Sequence, residues 1–354
     1  MGDTQSNRWD VFCRVIDNHG DLGVCWRLAC DLAARGRQVR LWVDDASALA
    51  WMAPAGAQGV EVWPWPHTAL GEAPGAVVIE AFACELPVFF VERMAKMEHP
   101  PVWINLEYLS AEAFVERNHG LPSPQRGGLH KRFFYPGFTP RTGGLLRETG
   151  LLQRQQGFDA NAWLRSQGVT REPDQQIVSL FCYEQPTLPA LLQRLAQRPT
   201  LLFATAGHAA RQVERLLGPT LRRGSLRAQV LPGLTQIDYD HLLWASDLNL
   251  VRGEDSFVRA QWAGKPFVWQ IYPQADAADA GKLQAFLDCF LQDAGAPLAS
   301  GLRQVWSDWN GGPPDGAAWP DAGAWRLHCA GWRDALACQA DLCSQLIGFA
   351  AERR

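Results

Sequence analysis

The chain has 354 residues, 47% hydrophobic and 20% charged, with 16 Trp, 16 Phe and a formal net charge of -4. This composition excludes a disordered chain, and a pI near 6.1 argues against a dedicated nucleic-acid binder, which carries a basic excess. No apolar run reaches the ~20 residues of a membrane helix, and the polar start Met1 to Arg8 lacks a signal core, so a cytoplasmic protein without a membrane partner is expected.

At this length two domains of roughly 150 residues each are expected. The nine cysteines are scattered without a C-x-x-C pair, which favours buried reduced thiols over disulfides or zinc, and no metal or cofactor is expected.

In chain order, Trp9 to Ile16 alternates enough for a first strand and ends in Asp17-Asn-His-Gly-Asp-Leu-Gly23. Val24 to Arg35 follows as a helix, with Val24, Leu28 and Leu32 on one face and Gly36 as its stop. Gln38 to Asp44 is a second strand, which completes a βαβ unit and predicts a parallel sheet. Further strands are expected at Val60 to Trp65, Ala76 to Phe82 and Val102 to Leu106, with a helix over Leu86 to Met97. Gly120 to Gly157 is rich in Pro and Gly and predicts long loops, in which Arg126, His130, Lys131 and Arg132 form a solvated basic run.

A second alternating series starts after Pro173. Strands are expected at Ile177 to Tyr183, Leu201 to Ala206, Ala228 to Leu231, Leu248 to Val251 and Phe267 to Ile271, with helices between them. The predicted architecture is α/β, with two Rossmann-like domains facing across a cleft: residues 1–172 for an acceptor, and 173–332 for a nucleotide-sugar donor. The helical stretch from about Ala324 to Ala351 is expected to return to the first domain, completing it with residues 333–354.

The stretch from Asp247 to Pro266 organises the second half. A buried strand stops at Arg252-Gly253, and Glu254, Asp255 and Ser256 open a helix whose free N–H groups and positive dipole end suit a phosphate. Two carboxylates there would repel a phosphate unless they face sugar hydroxyls, which suggests a nucleotide sugar. Ordinary helix capping explains the same residues without a ligand.

The Asp17 to Gly23 loop lacks G-x-G-x-x-G, and its carboxylates suit a general base or a cationic acceptor better than a pyrophosphate. A strand-to-helix turn in which Asp17 and Asp21 bond backbone donors is the plainer alternative. Phe181 and Tyr183 end a strand where a phenol can reach a phosphate, although on position alone a core aromatic is the plainer reading. Within Leu231 to Asp240, Gln236 can read a pyrimidine edge and Tyr239 can stack on it, while a simple helix cap at Thr235 also fits.

Two of these stretches together, Val15 to Ala29 and Arg252 to Gln274, resemble the protein-arginine rhamnosyltransferases that modify translation elongation factor P. Ser179 to Tyr183 and Leu231 to Asp240 fit as well, so the similarity runs nearly end to end. It implies a GT-B glycosyltransferase, expected to be monomeric, that moves rhamnose from dTDP-β-L-rhamnose, with inversion and without a metal, to an arginine of elongation factor P. It also implies roles: Asp21 as general base, Asp17 as its supporting carboxylate, and Arg252, Glu254, Asp255 and Ser256 at the donor. Tyr183 matches the phosphate contact, and Phe181, Gln236 and Tyr239 the nucleotide end. His19 stands where the family often carries Phe.

A guanidinium is a poor nucleophile because it stays protonated and its lone pairs are delocalised. Paired carboxylates address both problems by localising the charge and accepting the proton. The alternative from another class is a non-catalytic module binding a nucleotide or a translation factor. A dehydrogenase or epimerase is disfavoured by the missing dinucleotide fingerprint.

Overall fold

The computed structural model describes residues 7–16, 19–65, 72–272, 278–312 and 319–353. It divides the chain into two units, Met1–Thr149 with Leu336–Arg354, and Gly150–Ala335.

In the first unit β1 (Arg8–Cys13) sends Trp9, Val11 and Cys13 to one face and Asp10 and Phe12 to the other, as a period of two requires. The first face meets helix α1 (Gly20–Ala34), whose Leu22, Cys25, Leu28, Ala29 and Leu32 are fully buried. On the second face Phe12 stacks on Trp42 at 5.4 Å, over the helix Val88–Lys96. Burying such a side chain contributes about 1.5–3 kcal/mol.

Strands β2 (Gln38–Val43), β3 (Val60–Pro64), β4 (Val77–Ala81), β5 (Val102–Leu106), β6 (Pro122–Pro124) and β7 (His130–Phe134) complete a seven-stranded sheet of order β3-β2-β1-β4-β5-β7-β6. Every neighbouring pair is parallel except β6 with β7. The C-terminal helix Leu342–Ala351 packs Leu342, Cys343, Leu346 and Ala350 into the α1 side of this core. Arg35 ties the two helices together through Asp341 at 2.8 Å.

The second unit contains β8 (Gln176–Leu180), β9 (Thr200–Ala204), β10 (Arg222–Arg223), β11 (Leu226–Val230), β12 (Leu248–Arg252) and β13 (Phe267–Gln270), in the order β10-β11-β9-β8-β12-β13. Only the short hairpin strand β10 runs antiparallel to its neighbour. Helices α2 (Gln236–Ala245) and α3 (Glu254–Ala263) flank β12.

Three expectations change. The unit boundary falls at Thr149/Gly150 and not at 172/173, because Trp163 and Leu164 belong to the core around Ile177, Phe203 and Leu242. The stretch read as long loops holds β6, β7 and the helix Leu151–Gln156. Within its basic run Arg126 and His130 are exposed as expected, but Lys131 reaches from β7 to the buried Glu80 on β4 at 3.1 Å.

Candidate active site

Ligands of open α/β sheets sit beyond the carboxyl ends of strands, where successive connections run in opposite directions. In the first unit that point lies between β1 and β4, since the chain goes from β1 out to β3 and returns to β4 on the other side. Asp21 is there. The helix begins at Gly20, earlier than the expected Val24, so Asp21 is buried in its first turn at 4% exposure. One carboxylate oxygen accepts the Ile16 backbone N–H at 2.9 Å, and the other accepts the Tyr108 hydroxyl at 3.2 Å. Asp17 lies outside the described residues.

Tyr108 follows β5, and its ring stacks on Phe82 at 4.4 Å. Phe82 opens an unusual turn after β4 in which Phe82, Ala83 and Glu85 have φ of 55, 53 and 49°. Left-handed backbone costs a non-glycine residue about 1–2 kcal/mol, and such strain gathers at functional sites. Neither the turn nor Tyr108 was legible as a site feature beforehand. The usable signal was position alone, just past the ends of two predicted strands.

The second unit has its own reversal point between β8 and β12. The backbone N–H of Phe181 donates to the Leu250 carbonyl at 2.8 Å, which places Phe181, Tyr183 and Arg252 at neighbouring strand ends. The Arg252 guanidinium carbon lies 4.5 Å from the Phe181 ring centroid and 4.1 Å from that of Tyr183, within cation–π range. Tyr239, from α2, meets Phe181 edge-on at 5.9 Å. Burial pushes the Tyr239 phenol well above its ordinary value, with Ser256 opposing the shift. The hydroxyl itself is buried, and Ser256, the third residue of α3, is the polar side chain beside it.

Gly253 precedes α3 with φ 71° and ψ 173°, a conformation that glycine alone takes readily. Glu254, Asp255 and Ser256 are therefore the first helical residues rather than the cap, and Gly253 has no side chain with which to cap. The other helix start is different: Thr235 caps α2 by accepting the Asp238 N–H at 3.0 Å, leaving Gln236 buried in the first turn. The capping role of Thr235 and the placement of Tyr239 beside Phe181 and Ser256 coexist in one helix.

Two supporting contacts were not foreseen. Gln270, at the end of β13, accepts the Tyr183 N–H at 2.8 Å and donates to the Glu184 carbonyl at 3.2 Å, holding the β8 exit in place. Arg259 on α3 grips Asp240 on α2 with two bonds of 2.8 and 2.7 Å, both side chains being almost fully buried. That pair joins the helix carrying Gln236 and Tyr239 to the one carrying Glu254, Asp255 and Ser256. Removing one partner of a buried pair costs about 3–5 kcal/mol. Arg259→Leu is thus expected to lower the unfolding midpoint of this unit, and adding Asp240→Leu to recover part of the loss, as read by urea denaturation. Among the described residues no three His, Cys, Asp or Glu side chains are grouped to hold a metal ion, and no helix is long and apolar enough to cross a membrane.

Comparison with known proteins agrees with this geometry. The family described as elongation-factor P (EF-P) rhamnosyltransferase EarP matches residues 9–351. Protein-arginine rhamnosyltransferases of Pseudomonas aeruginosa and Pseudomonas putida are 44% and 46% identical, covering 97% and 96% of this chain and 99% and 98% of their own. A structure solved for EarP-mediated arginine glycosylation of translation elongation factor EF-P aligns with TM-score 0.69 at 34% identity, over 98% of this chain and 99% of that one. The calicheamicin glycosyltransferase CalG4, at 14% identity and TM-score 0.53 over 98% and 99% of the two chains, shares the fold. The resemblance read from the two sequence blocks is borne out along nearly the whole chain, and so is the GT-B class with its two Rossmann-like sheets. The chain belongs to the EarP family of elongation factor P rhamnosyltransferases, enzymes of the GT-B glycosyltransferase fold.

Proposed function

We propose that the enzyme transfers L-rhamnose from dTDP-β-L-rhamnose, with inversion at the sugar carbon, to a guanidinium nitrogen of one arginine on translation elongation factor P. The observation that carries this reading is the chain-long likeness to protein-arginine rhamnosyltransferases. The strand-end geometry of each unit supports the residue roles.

The guanidinium nitrogen attacks the anomeric carbon as the bond from that carbon to the diphosphate oxygen breaks, and dTDP leaves with the electron pair. Asp21 takes the proton from the attacking nitrogen, and Asp17 holds the rest of the cation so that its charge is localised elsewhere. Tyr108 and the Ile16 N–H orient the Asp21 carboxylate.

On the donor side, the start of α3 and the Arg252 guanidinium stabilise the departing diphosphate, with Tyr183 reaching a phosphate oxygen. Glu254 and Asp255 accept hydrogen bonds from sugar hydroxyls, and Ser256 contributes beside them. Phe181, Gln236 and Tyr239 hold the nucleotide end.

Incubation with dTDP-rhamnose and elongation factor P, followed by mass spectrometry, tests the reaction. One added deoxyhexose on an arginine is expected. Donor binding without any product would favour a non-catalytic module instead. With Arg252 and the helix start in the role a metal fills in other transferases, turnover is expected to survive EDTA unchanged. Loss on chelation that magnesium restores would overturn the metal-independent part of the proposal. Size-exclusion chromatography at working concentration is expected to return a monomer.

A further inference from the structure

Beyond the site already described, the first unit carries a polar cluster on the other side of its sheet. Along β5 and past its end, Trp103, Asn105 and Glu107 alternate onto one face, and register places Glu80 and Phe133 beside Asn105 and Lys131 beside Trp103. The Glu107 N–H continues the ladder by donating to the Phe134 carbonyl at 2.9 Å.

Glu80 is well supplied. Its oxygens accept Lys131 Nζ at 3.1 and 3.3 Å and Trp103 Nε1 at 3.1 Å. Asn105, only 1% exposed, donates through Nδ2 to Glu107 Oε1 at 2.5 Å, while its Oδ1 is buried and accepts nothing among the described residues. The bond to Glu107 fixes which end of the amide is nitrogen, so the unmet group is a carbonyl.

The cluster therefore holds two carboxylates, one ammonium already engaged by Glu80, and an orphan acceptor. Burial pushes the Glu107 carboxyl up, opposed by the Asn105 hydrogen bond and Lys131 and helped by Glu80. A water would satisfy the Asn105 carbonyl but not the surplus negative charge. A cation bearing N–H groups satisfies both. The next residue along the chain, Tyr108, contacts Asp21. One step of backbone therefore serves the base on one side and this cluster on the other.

We propose that Glu107 and the Asn105 carbonyl oxygen form a second binding set on the acceptor side, taking a guanidinium or ammonium side chain of the protein that is modified. The proposal rests on the reading of this unit as the acceptor half. Glu107 is a positioning residue in this scheme: it fixes the acceptor and takes no proton from the attacking nitrogen. Its cation comes either from the target arginine or from a basic neighbour.

The test compares wild type with Glu107→Gln, which keeps an oxygen for Asn105 and removes the charge, and with Asn105→Leu as a second variant. Elongation factor P is the acceptor, and KM for acceptor and donor are measured separately from kcat. Glu107→Gln is expected to raise the acceptor KM about tenfold or more, with donor KM unchanged and kcat at saturating acceptor largely kept. A parallel binding titration uses elongation factor P whose target arginine is replaced by alanine. Weaker binding of that protein to Glu107→Gln than to wild type assigns the cation to a neighbour, and equal binding assigns it to the target arginine. An unchanged acceptor KM in Glu107→Gln, with wild-type transfer intact, overturns the proposal alone. Failure of the wild type to modify elongation factor P overturns the functional reading and this inference with it.

Discussion

Asp21→Asn is expected to lower kcat for rhamnose transfer by about 10²–10⁴-fold, with dTDP-rhamnose binding kept. Asparagine matches the shape of the carboxylate and still offers one oxygen to the Ile16 N–H or the Tyr108 hydroxyl, both of which contact Asp21. It cannot take a proton from the attacking nitrogen. Asp21→Ala removes the base too, but it also deletes a buried carboxylate that the Ile16 N–H and the Tyr108 hydroxyl contact, so activity lost in that variant mixes chemistry with local structure. The residues assigned to the donor belong to the other unit, which is why calorimetric donor affinity should not move. A single-turnover assay read by mass spectrometry separates the outcomes. Wild-type transfer by Asp21→Asn would remove Asp21 from the base role.

Arg252→Ala should lose both donor affinity and rate, with kcat down about 10²–10³-fold, the scale of removing one preorganised charge donor from a transition state. The guanidinium lies over Phe181 and Tyr183. Its position is thus set before substrate arrives, and little reorganisation is needed as charge develops on the leaving diphosphate. Lysine restores the charge but not the planar face that lies over two rings, so Arg252→Lys should fall between alanine and wild type. Glu254→Ala and Asp255→Ala, by contrast, are expected to raise donor KM first, because sugar hydroxyl contacts exist in the ground state as well as in the transition state. An Arg252→Ala enzyme with undiminished kcat would sink the leaving-group assignment.

Much of the architecture could be read from local pattern. The β1, α1, β2 unit and the run from β12 through α3 to β13 follow from apolar periodicity and from glycines at the turns. The helix over Val24 to Arg35 was legible from Val24, Leu28 and Leu32, but its first turn was not. Gly20 and Asp21 look like loop residues until the packing of Leu22 and Cys25 against β1 draws that turn into the core. β7 was missed for a related reason. His130, Lys131 and Arg132 read as solvated, and the burial of Lys131 is acceptable only because Glu80 waits on a strand 51 residues earlier.

By itself the sequence determined the α/β class, the two alternating halves, the family, and the residue types that can handle a guanidinium and a diphosphate. Those features live in short-range periodicity and in contiguous motifs. Strand order and register decided which of those residues meet: Phe181, Tyr183, Tyr239 and Arg252 come from three elements, and Asp21 finds Tyr108 from 87 positions away. The strained Phe82 turn, the Asp240–Arg259 clamp and the orphan Asn105 carbonyl likewise belong to tertiary structure alone. Each depends on a partner distant in the chain, and no local propensity encodes the energy of a contact whose other half is remote.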